Sequence, residues 1–150
     1  MVWAAINWHG GKSPLVLIQG TLTGQRYLDD ILVPTGIPFA QTCVHNFLWM
    51  DNNARPHRAR IVNEWLTTNH VERLDWPACS PDMNPIEHLW DELGRAIVSR
   101  NPAPLTLHDL EVALQEEWNR IPLTKARHIL GGMLRRCRAV VSAGGGSTRY

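Results

Sequence analysis

The sequence predicts a mixed α/β layer fold. Short, partly β-branched apolar runs alternate with stretches of helical period, and proline and glycine clusters separate the two. An apolar run that ends in Asp51-Asn52-Asn53, followed by a helical stretch and another short apolar run, predicts a strand, helix, strand unit. Such a unit implies a parallel strand pair with a right-handed crossover. At 150 residues a chain can bury roughly 68–70% of its unfolded surface, enough for one domain with a real core.

Val2 to Trp8 and Leu15 to Ile18 read as two strands of a hairpin, joined by the turn His9-Gly10-Gly11-Lys12-Ser13-Pro14. Thr23 can cap a helix over Gln25 to Leu32, with Tyr27, Leu28, Ile31 and Leu32 on its inner face and Pro34 stopping it. Phe47 to Asp51 is the third strand. Arg58 to Thr68 reads as a helix burying Ile61, Val62, Trp65 and Leu66, and Val71 to Leu74 as a short fourth strand. Pro77 to Pro85 is a proline-bracketed loop ahead of a helix over Ile86 to Val98, with Leu89, Trp90, Leu93 and Ile97 inward. Thr106 caps a helix through Asn119, and the residues after Pro122 read as a last helix ending near Val141. The organisation is one domain over 1–141 and a flexible Gly-rich tail over 142–150.

Composition excludes several classes. Apolar residues at 44%, seven of them Trp, argue against disorder, and the Trp set reads as packing. Cys43, Cys79 and Cys137 are odd in number and far apart, which disfavours a disulfide framework or a zinc site and points to a reducing compartment. The first residues carry no basic n-region, and nowhere is there a run of about 18 apolar residues, so the reading is soluble, not secreted and without a membrane partner. Net charge of +1 does not announce nucleic-acid binding by itself. Arg55, Arg58 and Arg60 form one local positive cluster, and Arg127, Arg135, Arg136 and Arg138 another, which reads as a solvated helix face or as a DNA-backbone contact.

Carboxylates brought together from a strand end and a helix start make an oxygen-rich site suited to Mg²⁺. Two such ions about 3.5–4 Å apart can activate a water or hydroxyl and stabilise the leaving oxygen of a phosphodiester. The candidates are Asp51, Asp82, Glu87, Asp91 and Glu92. Asp51 and Asn52 stand at the carboxyl end of a strand, where open α/β sheets place ligands. Glu87 stands at the start of an amphipathic helix, where the helix dipole favours an anion, and Asn84-Pro85 supply turn chemistry before it. No phosphate-cradling Gly loop, His-Glu-x-x-His or Gly-x-Ser-x-Gly competes.

Several motifs in order, Asn53-Ala54-Arg55-Pro56-His57, Trp76-Pro77 and Ser80-Pro81-Asp82-Met83-Asn84-Pro85-Ile86-Glu87, resemble the mariner-type (Tc/mariner) transposases of the DDE superfamily. The likeness covers nearly the whole chain. It implies a ribonuclease-H-like mixed sheet flanked by helices, with three carboxylates, two Mg²⁺ or Mn²⁺ ions, and cutting and joining of DNA. Glu87 matches the third acid. In one branch 34 residues separate the second acid from the third, which leads back from Glu87 to Asn52. Asp51 is adjacent, on the opposite face of an extended strand, so either Asp51 or Asn52 fills the second metal position. An amide there removes one negative charge from the site and implies weakened chemistry. The resemblance places Arg55, His57 and Arg58 beside the active site as DNA contacts. It also implies partners, namely transposon ends and target DNA, with a homo-oligomer or a full-length transposase, and a nuclear location. Met1 comes just before the second strand of that pattern, so the first, central strand and its acid are expected to be lacking. That would leave unpaired inner sheet edges, and the alternative function is a non-catalytic DNA-binding or protein-interaction module.

Overall fold

The computed structural model describes residues 1–9, 11–42, 47–77, 80–146 and 148. The chain forms two compact units, one of Met1–Asn7 with Lys12–Ser80 and one of Trp8–Gly11 with Pro81–Tyr150. Cys43 and Cys79 lie outside the described residues, and Cys137 is an exposed free thiol. No helix among the described residues is long and apolar enough to cross a membrane.

In the first unit β1 (Val2–Trp3) pairs antiparallel with β2 (Val16–Leu17), Val2 opposite Leu17 and Trp3 opposite Val16. The hairpin is as expected but its ladder is short. Beyond Trp3 the buried Ser13 intervenes: its Oγ accepts the Ala5 N–H at 2.8 Å while its own N–H donates to Ala5 O at 2.8 Å. One further antiparallel bridge joins Ile6 and Lys12. The expected third and fourth strands meet at a single parallel bridge, Trp49 with Arg73, where Trp49 N donates to Glu72 O and Leu74 N to Trp49 O, both at 2.8 Å.

Helix α1 spans residues 24–41: α-helical over Gly24–Arg26, widened to π-helical over Tyr27–Gly36, and α-helical again over Ile37–Gln41. Thr23 caps it as expected, its Oγ1 accepting from Arg26 N at 3.2 Å. Pro34 does not stop the helix. A proline has no N–H to give and its ring clashes with the carbonyl four residues back. The widened turn relieves both, and Ile37 N reaches five residues back to Leu32 O. Tyr27, Leu28, Ile31 and Leu32 are buried, as their spacing predicted.

Helix α2 (Arg60–Thr68) starts two residues later than expected, because Arg58 N and Ala59 N close a turn onto Ala54 O and Pro56 O. It buries Val62 and Leu66 in a core with Ile18, Ile37, Ala40 and Trp49. The helices approach closely at Gly24, where an added Cβ would overlap the Cβ of Ala59. At Gly36 an added Cβ would lie 2.9 Å from the Trp49 ring.

The second unit is helical: a 3₁₀ turn at Pro81–Met83, then α3 (Pro85–Val98), α4 (Leu107–Arg120), α5 (Leu123–Gly131) and α6 (Met133–Ser142). The one helix expected after Pro122 is two, broken at Gly132. The core holds Leu89, Leu93, Ala113, Ala126 and Leu130 around a fully buried Trp118, on which Trp90 stacks at 5.2 Å. Thr106 and Asp109 form a reciprocal capping box at the start of α4.

Candidate functional site

The backbone leaves the Trp49 bridge extended, so the next two side chains part company. Asp51 turns inward and is 7% exposed, whereas Asn52 is exposed. Two successive Asx turns then reverse the chain: Asn53 N donates to Asp51 Oδ1 at 3.1 Å and Ala54 N to Asn52 Oδ1 at 3.2 Å. Asn53 takes φ 60°, a left-handed conformation that asparagine tolerates, and its Nδ2 donates to Trp76 O at 2.7 Å. The Asn53-Ala54-Arg55-Pro56-His57 and Trp76-Pro77 stretches, 23 residues apart at that bond, are thereby tied together.

Asp51 is held by two arginines. Arg73 Nε lies 3.1 Å from Oδ2, an ion pair out of line for a hydrogen bond, and Arg58 Nε lies 3.7 Å from Oδ1. Arg73 is fixed in turn by Asn63 Oδ1 at 2.6 Å and His57 O at 2.9 Å. Neither Arg73 nor Tyr27 belongs to a motif. The one signal for Arg73 was its place in the short strand parallel to the strand that carries Asp51.

His57 is buried against the Tyr27 ring, centroids 4.2 Å apart. Burial pushes its pKa below the ordinary histidine value, and Arg73 and Arg58 act in the same direction against the pull of Asp51. Burial, reinforced by the Asp51 carboxylate, raises the Tyr27 hydroxyl far above its usual range. Of the three residues expected to meet DNA, Arg55 is exposed, Arg58 is engaged with Asp51, and His57 is interior.

Glu87 belongs to the second unit, at the third position of α3. Asn84 is the N-cap, its Oδ1 accepting from Ile86 N at 3.4 Å, and Pro85 occupies the first helical position. The Asn84 amide also donates to Glu87 Oε1 at 3.3 Å, so the cap steers the carboxylate it precedes. Asp91 pairs with Arg95 at 2.7 Å on an exposed helix face, the half-buried Glu92 pairs with Lys125 at 3.0 Å, and Asp82 is exposed in the 3₁₀ turn.

Among the described residues no group of three His, Cys, Asp or Glu is placed to hold a metal. Taken unit by unit, the expected donors are lean. In the first unit Asp51 already has its charge matched by Arg73 and Arg58 and Asn52 offers only a neutral carbonyl oxygen; in the second, Glu87 has no ion pair among the described residues.

Residues 1–108 match the family model described as DDE superfamily endonuclease. The chain is 35% identical over 153 residues to the transposable element Tc1 transposase of Caenorhabditis elegans, covering 100% of this chain and 54% of that protein. The chain thus spans about half the length of the relatives it matches. The catalytic domain of Mos1 transposase, solved with raltegravir and Mg, superimposes with a TM-score of 0.81 at 22% identity over 94% of this chain and 73% of that one. Mos1 transposase in a paired-end complex with the left transposon end gives 0.79 at 21%, over 99% of this chain and 44% of that one. The hairpin, the parallel pair and the flanking helices are thus those of a ribonuclease-H-like fold, as expected. Family model, relatives and fold agree with the motifs at residues 53–57 and 80–87: the chain belongs to the DDE endonuclease superfamily, in its Tc1/mariner transposase branch.

Proposed function

We propose that residues 1–141 are part of a transposase catalytic domain, from a protein that cuts transposon ends and joins them to target DNA with divalent metal ions, in the nucleus and as an oligomer. We further propose that Asn52 stands at the second metal position, so that metal-dependent cleavage by this chain on its own is weak. The carrying observation is the opposite placing of two neighbours: Asp51 is inward and ion-paired to Arg73 and Arg58, and Asn52 is outward. Glu87, aimed by Asn84, is the remaining acid, and exposed Arg55, three residues after Asn52, supplies DNA-backbone contact. A second reading, a DNA-binding module without chemistry, is favoured by the same neutralisation of Asp51.

Nicking of supercoiled DNA and Mn²⁺ binding by calorimetry separate the readings. Wild-type protein should nick at or near background in Mg²⁺ or Mn²⁺. Asn52→Asp should tighten Mn²⁺ about tenfold by adding one anionic ligand, and Glu87→Gln should remove that gain. Strong wild-type nicking, lost in Asp51→Asn and Glu87→Gln but kept in Asn52→Ala, would make Asp51 the ligand and overturn the assignment.

A further inference from the structure

We propose that a cleft within the second unit, between the Trp8–His9 turn and the α5–α6 corner, binds single-stranded DNA, with an unstacked base on Trp8 and the adjoining phosphates on Arg127 and Arg135. The cleft is open, about 490 Å³, and lined by Trp8, His9, Arg127 and Gly131. A second hollow of about 380 Å³, lined by His128, Gly131, Gly132 and Arg135, shares Gly131 with it and so continues it along the corner. Both volumes fall in the range of ligand-sized sites.

Three independent observations identify the occupant. Trp8 is 64% exposed, whereas Trp118 is fully buried and Trp49 nearly so. An indole with most of its surface open is a platform for a π-face. Next, Arg127 Nε donates to His9 O at 2.8 Å, which pins the guanidinium beside Trp8 and leaves its terminal amino groups for an oxyanion. Last, the charge is segregated: all 14 carboxylates precede Ile121, and residues 121–150 carry six of the 15 Lys and Arg. Lys125 pairs with Glu92, and Arg136 is buried against His88. No carboxylate among the described residues pairs with Arg127, Arg135 or Arg138. Duplex DNA would engage the arginines and leave Trp8 idle, as would an acidic peptide. A strand with free bases uses both. The choice of DNA over another polyanion rests on the transposase reading.

The test is fluorescence anisotropy of a labelled oligothymidylate on the purified chain, with duplex DNA and heparin as comparators. Trp8→Ala should weaken single-strand binding about tenfold and Trp8→Phe much less. Arg127→Ala and Arg135→Glu should each weaken it, and Arg127→Ala should lower the log–log salt slope by about 0.7. Arg60→Ala, on an exposed ion pair of the other unit, should change neither. These side chains are at the surface, so circular dichroism should be unaltered. Affinity unchanged in Trp8→Ala, or equal loss on duplex and heparin, would overturn the site. Nicking and Mn²⁺ binding by Asn52→Asp report on the metal assignment separately, so either idea can fail alone.

Discussion

Side-chain alternation in the last extended residues before the loop sends Asp51 to the interior and Asn52 to solvent, and the energetic consequences differ accordingly. Asp51→Asn leaves Arg73, itself 11% exposed at its side chain, without its counter-charge. Breaking a buried pair from one side costs about 3 kcal/mol, which urea unfolding should show. Asn52→Ala should stay within about 0.5 kcal/mol. His57 adds a pH dependence. Its folded pKa lies below its unfolded value of about 6.5, so the unfolded chain binds the proton first. The stability from neutral His57 is present above that pH and is lost as pH falls through it. The urea midpoint should fall from about pH 7.5 to about pH 5.5, and less steeply in His57→Gln. The pairing of Asp51 with Arg73 was not legible in the sequence. A local pattern shows which residues alternate, but the partner of a charge comes from a strand pairing more than twenty residues away.

Elements with a strong period or a specific cap were read well. The α4 capping box was half visible as Thr106, and the structure adds Asp109, whose carboxyl is held below the usual range by hydrogen bonds from the Thr106 hydroxyl and backbone. Thr106→Ala should cost about 1 kcal/mol. The contribution of Asp109 should be present above the ordinary carboxylate range and fade as pH falls through it, measurable as a shallower acid limb in Asp109→Asn. Pro34 and the stretch after Pro122 depart from the sequence expectation for related reasons. Proline is a helix breaker only if the helix cannot widen, and α1 widens. Glycine at 132 separates α5 from α6, which an apolar pattern running through both conceals. Gly24 marks a close approach that no local rule reveals. Gly24→Ala should destabilise by about 1–3 kcal/mol through collision with Ala59, and Gly94→Ala, with open space around it, should not.

At the scale of the whole molecule, the fold class followed from the order of elements, and the family from several motifs in sequence. Composition was less informative. A net charge of +1 conceals an acidic first four-fifths and a C-terminal stretch with no acid at all. Retention on a cation exchanger should therefore exceed that of an evenly charged protein of the same net charge, and Arg135→Glu with Arg138→Glu should abolish the excess. The Trp set was read as packing, which holds for Trp49 and Trp118 but not for Trp8. Aromatic count predicts a core, while exposure of a single ring is decided by the turn that carries it.

The outward position of Asn52 bears on the history of such a chain. The hydrogen bond that its Oδ1 accepts from the Ala54 N–H is one that an aspartate oxygen accepts equally well, and amide and acid have nearly the same shape. Exchange between them disturbs no packing and leaves folding selection blind to the difference. A lineage could lose and regain the acid by a single base change, with no compensating substitution elsewhere.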